Sequence, residues 1–119
     1  PAKLKDAATA VVTGTQNPTT GEVTFTVNKT GDTAYPDGTK VKITGVDEEY
    51  TVSNGTIKVP NDKLPVTDGV NTSVTVTEEG HKPATTTTTV PAKLKDAATA
   101  VVTGTQNPTT GEVTFTVNK

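Results

Sequence analysis

The sequence predicts an all-β chain, an antiparallel sandwich of about seven strands per 90-residue repeat, and three observations carry that prediction. Thr supplies 29 of the 119 residues and Val 17, against three Leu and two Ile, and such β-branched side chains suit a pleated, half-buried surface better than a helix. Short segments in which apolar and polar residues alternate recur along the chain, separated by Pro, Gly and Asn turns. Residues 1–29 and 91–119 are identical, PAKLKDAATAVVTGTQNPTTGEVTFTVNK, at an offset of 90. That period is a whole small domain, longer than the roughly 20 to 50 residues of a solenoid unit, and it points to beads on a string. Residues 1–90 read as one complete repeat and residues 91–119 as the first hairpin of the next. Perfect identity marks copies that have not drifted apart, through recent duplication, recombination between copies or a deliberate laboratory duplication, and a natural tandem array is preferred.

The first predicted hairpin joins Ala10–Thr15 to Glu22–Val27 through Asn17-Pro18-Thr19-Thr20-Gly21, where Pro takes the first turn corner and Gly the left-handed position. In its second arm Val23, Phe25 and Val27 alternate with Thr24 and Thr26, the pattern of a strand with one face buried. Tyr35-Pro36-Asp37-Gly38 is a second turn, and it launches a strand over Thr39–Thr44 with Val41 and Ile43 inward and Lys40 and Lys42 outward. Asn54-Gly55 suits a two-residue type I′ hairpin. That register pairs Ser53 with Thr56, Val52 with Ile57, Thr51 with Lys58 and Tyr50 with Val59, placing both apolar pairs on one face. Val70–Thr77 alternates again through Val74 and Val76, and a bend over Glu78–Pro83 leads into Ala84–Val90. The five threonines Thr85–Thr89 fit a glycosylated linker or an edge strand, and the edge strand is preferred because Thr tolerates exposure and favours extended backbone. Pro91–Ala98 reads as the inter-bead connection, with a short helical turn expected from its Lys, Leu and Ala content. Seven short, evenly spaced strands favour an immunoglobulin-like sandwich over a barrel.

Composition removes whole classes of function. Eleven Lys without Arg, thirteen Asp plus Glu and a net charge of −2 leave no basic footprint for nucleic acid or an anionic membrane. The longest apolar runs, such as Ala10-Val11-Val12, are far too short to span a bilayer, so no membrane insertion is expected. Without Cys there is no thiol or disulfide chemistry, and four aromatic residues make no base-stacking platform.

No catalytic constellation stands out. His81 is the one His and lies in a Glu-Glu-Gly-His-Lys-Pro bend; with Ser53 and Ser73 as the only serines, no nucleophile is paired with a base. His81 reads as an exposed turn residue. Asp47-Glu48-Glu49 and Glu78-Glu79 are adjacent carboxylates that a strand would turn to opposite faces, so they read as solvated loop charges. Calcium is the one cofactor worth weighing, since hard cations take loop carboxylates and carbonyls. Asp32, Asp37, Asp47, Glu48 and Asp68 are the candidates by loop position, although no DxDxDG run supports them. The default expectation is no cofactor. Asn28-Lys29-Thr30 and Asn71-Thr72-Ser73 match the glycosylation sequon, as chance supplies in a chain this rich in Asn and Thr.

The order Pro-Asp-Gly-Thr-Lys-Val-Lys-Ile, then Tyr-Thr-Val-Ser-Asn-Gly-Thr-Ile-Lys-Val-Pro, then Val-Thr-Val-Thr-Glu-Glu-Gly-His-Lys-Pro-Ala resembles the Ig-like tandem repeats of Gram-positive cell-wall-anchored surface proteins. It is similar in particular to the near-identical repeats of staphylococcal biofilm-associated protein and its enterococcal and streptococcal relatives. The resemblance spans the whole period and implies an extracellular stalk at the bacterial cell wall that lifts a distal adhesive region and supports biofilm formation. It brings no catalytic residues. Absence of Cys fits such proteins and rules out the thioester cross-link found among them, and Ala84–Val90 lacks the Lys or Asn that an isopeptide joining first and last strands needs.

Two functions from different classes follow. A structural spacer would add roughly 30 to 40 Å per bead, from strands of about seven residues at 3.3 Å each plus loops. A binding module would recognise a host glycan, a matrix protein or another copy on a neighbouring cell, against which stands the scarcity of Tyr, Trp and Arg. The expected partners are neighbouring copies of the same repeat. Two identical hairpins competing for one place in the bead further suggest self-association by hairpin exchange.

Overall fold

The computed structural model describes residues 3–31, 33–67 and 70–118. The described residues form ten strands: β1 (Ala10–Gln16), β2 (Val23–Lys29), β3 (Thr33–Ala34), β4 (Lys40–Ile43), β5 (Glu49–Thr51), β6 (Thr56–Val59), β7 (Val70–Thr77), β8 (Ala84–Val90), β9 (Val101–Gln106) and β10 (Val113–Asn118). A single 3-10 turn at Asn61–Lys63 follows β6. Strands β1 to β8 make the bead as two antiparallel sheets. In the first, β1 pairs with β2 from Ala10↔Lys29 to Gln16↔Val23. The other edge of β2 takes β3 at Asn28 and Lys29 and β6 from Val23↔Val59 to Thr26↔Thr56. The second sheet runs β5-β4-β7-β8.

The core lies between the sheets because the alternating positions face one another across them. Val23, Phe25 and Val27 of β2, with Ile57 and Val59 of β6, meet Val41 and Ile43 of β4 and Val74 and Val76 of β7, all buried. Phe25 is the largest fully buried side chain, and it faces Gly14 across the β1–β2 ladder. A Cβ on Gly14 would stand 2.7 Å from Phe25 Cε1, so the glycine makes room for the ring. Burial of such a set of apolar side chains is the main force holding the sheets together.

Most sequence expectations appear at their expected places, with instructive differences. Val70–Thr77 and Ala84–Val90 are strands with the expected bounds, and β8 is an edge strand in which Thr88 is buried and donates its hydroxyl to Val12 O at 2.8 Å. The bead has an eighth strand, the two-residue β3, too short to show any periodicity. Asn54-Gly55 does form the turn, with φ of 53° and 75°, but the hairpin beyond it is not the one computed from register. Only Ser53↔Thr56 bridges. Tyr50 pairs instead with Val41, and Ile57 with Phe25, because the turn sits where the chain crosses between sheets and its two arms part to opposite sides of the core. Val52 and Ile57 are both buried, Val52 just beyond the end of β5 and Ile57 within β6. The helical turn expected in Pro91–Ala98 is absent, and the segment forms neither helix nor strand. One turn of helix is marginal alone, and the backbone groups of Ala92, Lys93 and Leu94 bond to the bead instead.

Strands β9 and β10 repeat the β1–β2 ladder, Phe115 facing Gly104 as Phe25 faces Gly14, yet pair with no other strand. Every described residue of this second hairpin is exposed. The face that the first copy buries through Val12, Val23, Phe25 and Val27 is bare at Val102, Val113, Phe115 and Val117.

Candidate functional site

Chemistry-bearing residues gather at the two ends of the sandwich, where the chain enters and leaves the bead. At the entry end the segment before β1 runs beside the turn between β7 and β8. Lys5 N donates to Gly80 O at 3.0 Å and Lys82 N donates to Lys5 O at 2.8 Å, a parallel bridge between Lys5 and His81. The Tyr35 hydroxyl donates to Ala8 O at 3.1 Å, and Thr30 N to Thr9 O at 3.1 Å. Under this segment Lys29 Nζ stands 3.2 Å from Glu78 Oε1 and 3.3 Å from Oε2, with its ammonium 5.4 Å from the Tyr35 ring centroid, within cation–π reach. Burial, followed by the Glu78 carboxylate, pushes the Tyr35 phenol above its usual value.

Two sequence expectations change here. Glu78 is not a solvated loop charge: its side chain is 13% exposed and paired with Lys29, because β2 and the β7–β8 turn close over it. His81 is half-buried rather than exposed, with Nδ1 3.0 Å from Glu79 O and 3.8 Å from Glu78 Oε1, since the entering chain lies alongside it. Glu79 stays on the surface, as do Asp47, Glu48 and Glu49.

At the exit end the β1–β2 turn, the 3-10 turn and the segment after β8 meet. Asn17 O accepts from Gly21 N at 2.9 Å, and its side-chain oxygen accepts from Thr19 N and Thr20 N, so the turn is self-capped. Gly21, at φ 78°, backs onto Asn61, whose amide would collide with any Cβ there. The Asn61 amide then bonds the departing chain twice, Nδ2 to Leu94 O at 3.0 Å and Oδ1 from Leu94 N at 2.8 Å. Gln16 Nε2 donates to Ala92 O at 2.8 Å and Lys93 N to Pro65 O at 2.8 Å. Sequence reasoning missed Gln16, Asn61 and Pro65, because they hold backbone and no motif encodes that. Nearby, the Tyr50 hydroxyl is buried without a hydrogen-bond partner among the described residues, and burial, then Glu48 and Asp62, raises its pKa.

The calcium candidates do not come together. Asp37 precedes β4, where its Oδ1 accepts from Asn54 N at 2.9 Å; Asp47 and Glu48 follow β4 at the opposite end, Glu48 lying 3.4 Å from Lys63. Asp32 and Asp68 lie outside the described residues. Among the described residues no group of three or more His, Asp or Glu side chains is placed to hold a metal ion, and no helix is long and apolar enough to cross a membrane. A surface depression lies over the Asn54-Gly55 turn and is lined by Thr24, Thr51, Ser53, Asn54, Thr56, Ile57 and Lys58, a hydroxyl-rich wall without a base beside a nucleophile.

Comparison with characterised proteins and with solved structures returns no match. A family model described as bacterial Ig-like domain matches residues 5–93, three quarters of the 119-residue chain. Those bounds run from the first bond of the entering segment to the departing one, taking in both sheets. With two packed antiparallel sheets and a family model covering them end to end, the chain belongs to the bacterial Ig-like domain family.

Proposed function

We propose that this chain is a non-catalytic spacer repeat of a bacterial surface protein, one bead of a stalk that projects a distal adhesive region from the cell wall and supports biofilm formation. Family membership supports the non-catalytic, extracellular setting. The observation that carries the spacer reading is the repeat itself: the same 29 residues close one bead and reappear immediately beyond it. Reach then scales with copy number, and identical copies lengthen a stalk without adding specificity. Purified repeats are expected to show no saturable binding to matrix proteins or glycans. Micromolar binding that survives about 0.5 M salt, where surface electrostatics are screened, would replace this reading with a binding module.

One observation favours a second role in self-association. The bare face of β9–β10 has the side chains that the bead buries from β1–β2, so residues 30–90 of another copy offer it a fitting seat, and exchange replaces a segment with its chemical equal. Light scattering over a concentration series reads this out. Dimers of the 119-residue chain that vanish on truncation after Lys95 support exchange, and a monomer throughout rejects it.

A further inference from the structure

The two copies of the opening segment are caught in complementary states. In the first copy the bonds to the bead among the described residues begin at Lys5 and continue through Ala8 and Thr9, while Leu4 is 50% exposed. In the second copy the bonds fall on Ala92, Lys93 and Leu94, and Lys95–Thr99 are exposed. Leu94 is the repeat equivalent of Leu4, and Lys95 of Lys5. The two sets of bonds are adjacent and share no residue.

We propose that this segment is a two-sided clip between successive repeats, with Ala92–Leu94 fastened to the bead being left and Lys95–Thr99 fastened to the bead being entered. The inference rests on the spacer reading and deepens it by naming the partner surface. The exit end, built from Gln16, Asn61 and Pro65, takes the next copy through its backbone. Asn61 is suited to the task because a primary amide presents one donor and one acceptor side by side, as a neighbouring peptide unit does in a ladder. Counting the repeat equivalents of Lys5, Ala8 and Thr9, bonds to one bead or the other leave no more than two consecutive residues of the joint unheld, too few for a flexible tie. Asp6 also reaches Lys82 at 3.5 Å, and Asp96 is its repeat equivalent. Successive beads are held in one relative orientation, and the stalk is stiff.

Amide hydrogen exchange followed by nuclear magnetic resonance tests this on the 119-residue chain. Lys93 and Leu94 are expected to exchange at least about tenfold more slowly than Ala97 and Ala98, whereas in the first copy protection starts at Lys5 and Leu4 is fast. Asn61→Ala is expected to release Leu94 while Val23, Phe25 and Val27 keep their protection, which shows the bead still folded; Asn61→Asp, which retains only the acceptor, serves if the alanine variant fails to fold. Extending the chain by a second copy of residues 30–90 is expected to bring Lys95 into protection, as its equivalent Lys5 donates its N–H to Gly80 O. Fast exchange at Leu94 in the parent chain, or at Lys95 in the extended one, overturns the clip. That result would leave a spacer with flexible ties, whereas saturable ligand binding would remove the spacer and leave the clip intact.

Discussion

Phe25 and Phe115 occupy the same place in two identical 29-residue sequences, one 0% and the other 66% exposed, so the same substitution at each measures what the bead adds. Truncating a fully buried Phe to Ala costs about 3–5 kcal/mol, combining lost transfer free energy with the cavity left behind. Phe25 belongs at the upper part of that range, because its ring lies over Gly14 and against Val23 in the rigid centre of a sheet, where collapse is restricted. A domain of this size has a stability of order 5–10 kcal/mol, so Phe25→Ala removes about half of it. With a slope of about 1 kcal/mol per molar urea, the midpoint falls by more than about 2 M. Phe115→Ala touches nothing in the bead, and its effect stays within about 0.5 kcal/mol. Urea unfolding of the parent and both variants, followed by circular dichroism, reads the two numbers together. A cost below about 1 kcal/mol at Phe25, or equal costs at the two positions, refutes the reasoning: the second hairpin would then be replacing the first in the bead.

Gly14→Ala is expected to cost about 1–3 kcal/mol through overpacking against Phe25, whereas Gly104→Ala is near neutral because Phe115 can swing into solvent; thermal melts separate them. Tyr50→Phe removes a buried hydroxyl without a partner and is expected to stabilise by up to about 1 kcal/mol, while Tyr35→Phe loses the bond to Ala8 and costs about 1 kcal/mol. Both phenols have pKa values raised above 10.0 by burial first, so the native state holds these protons more tightly than the unfolded chain. Their contribution is complete below about pH 10 and is lost as pH rises through the raised values, and a melt series from pH 8 to 11 is expected to flatten in the Tyr35→Phe, Tyr50→Phe double variant. EDTA is expected to leave the melting temperature unchanged; a site filled at a hundred times its dissociation constant would add about 2.7 kcal/mol, and a rise with calcium of several degrees would show one.

The sandwich was legible wherever one face of a strand is buried along its whole length, as in β2, β4 and β7, because period two then encodes both the element and its orientation. The arms of the Asn54-Gly55 turn show where that logic ends. Val52 and Ile57 share a face in a closed hairpin and also meet when the arms part around a core, so pattern alone is the same for both. The ends of the bead were illegible for another reason. Lys5, Leu94 and Pro65 act through backbone groups, and the bidentate grip of Asn61 joins residues 33 apart in sequence, so no spacing announces it. Glu78 looked like half of an acidic pair, and only the approach of Lys29 from a different sheet makes it a buried partner.

The chain enters the bead beside His81 and leaves it beside Gln16, so β1 and β8 run parallel, side by side, in separate sheets. A pull between neighbouring beads therefore acts lengthwise on both strands, in opposite directions. The hydrogen bonds of the β1–β2 and β7–β8 ladders lie across the strands, and each ladder spans seven residue pairs. Tension along the chain meets these bonds in shear, loading them together instead of opening them one after another. In the stalk proposed above, the same geometry would let each link bear drag without lengthening.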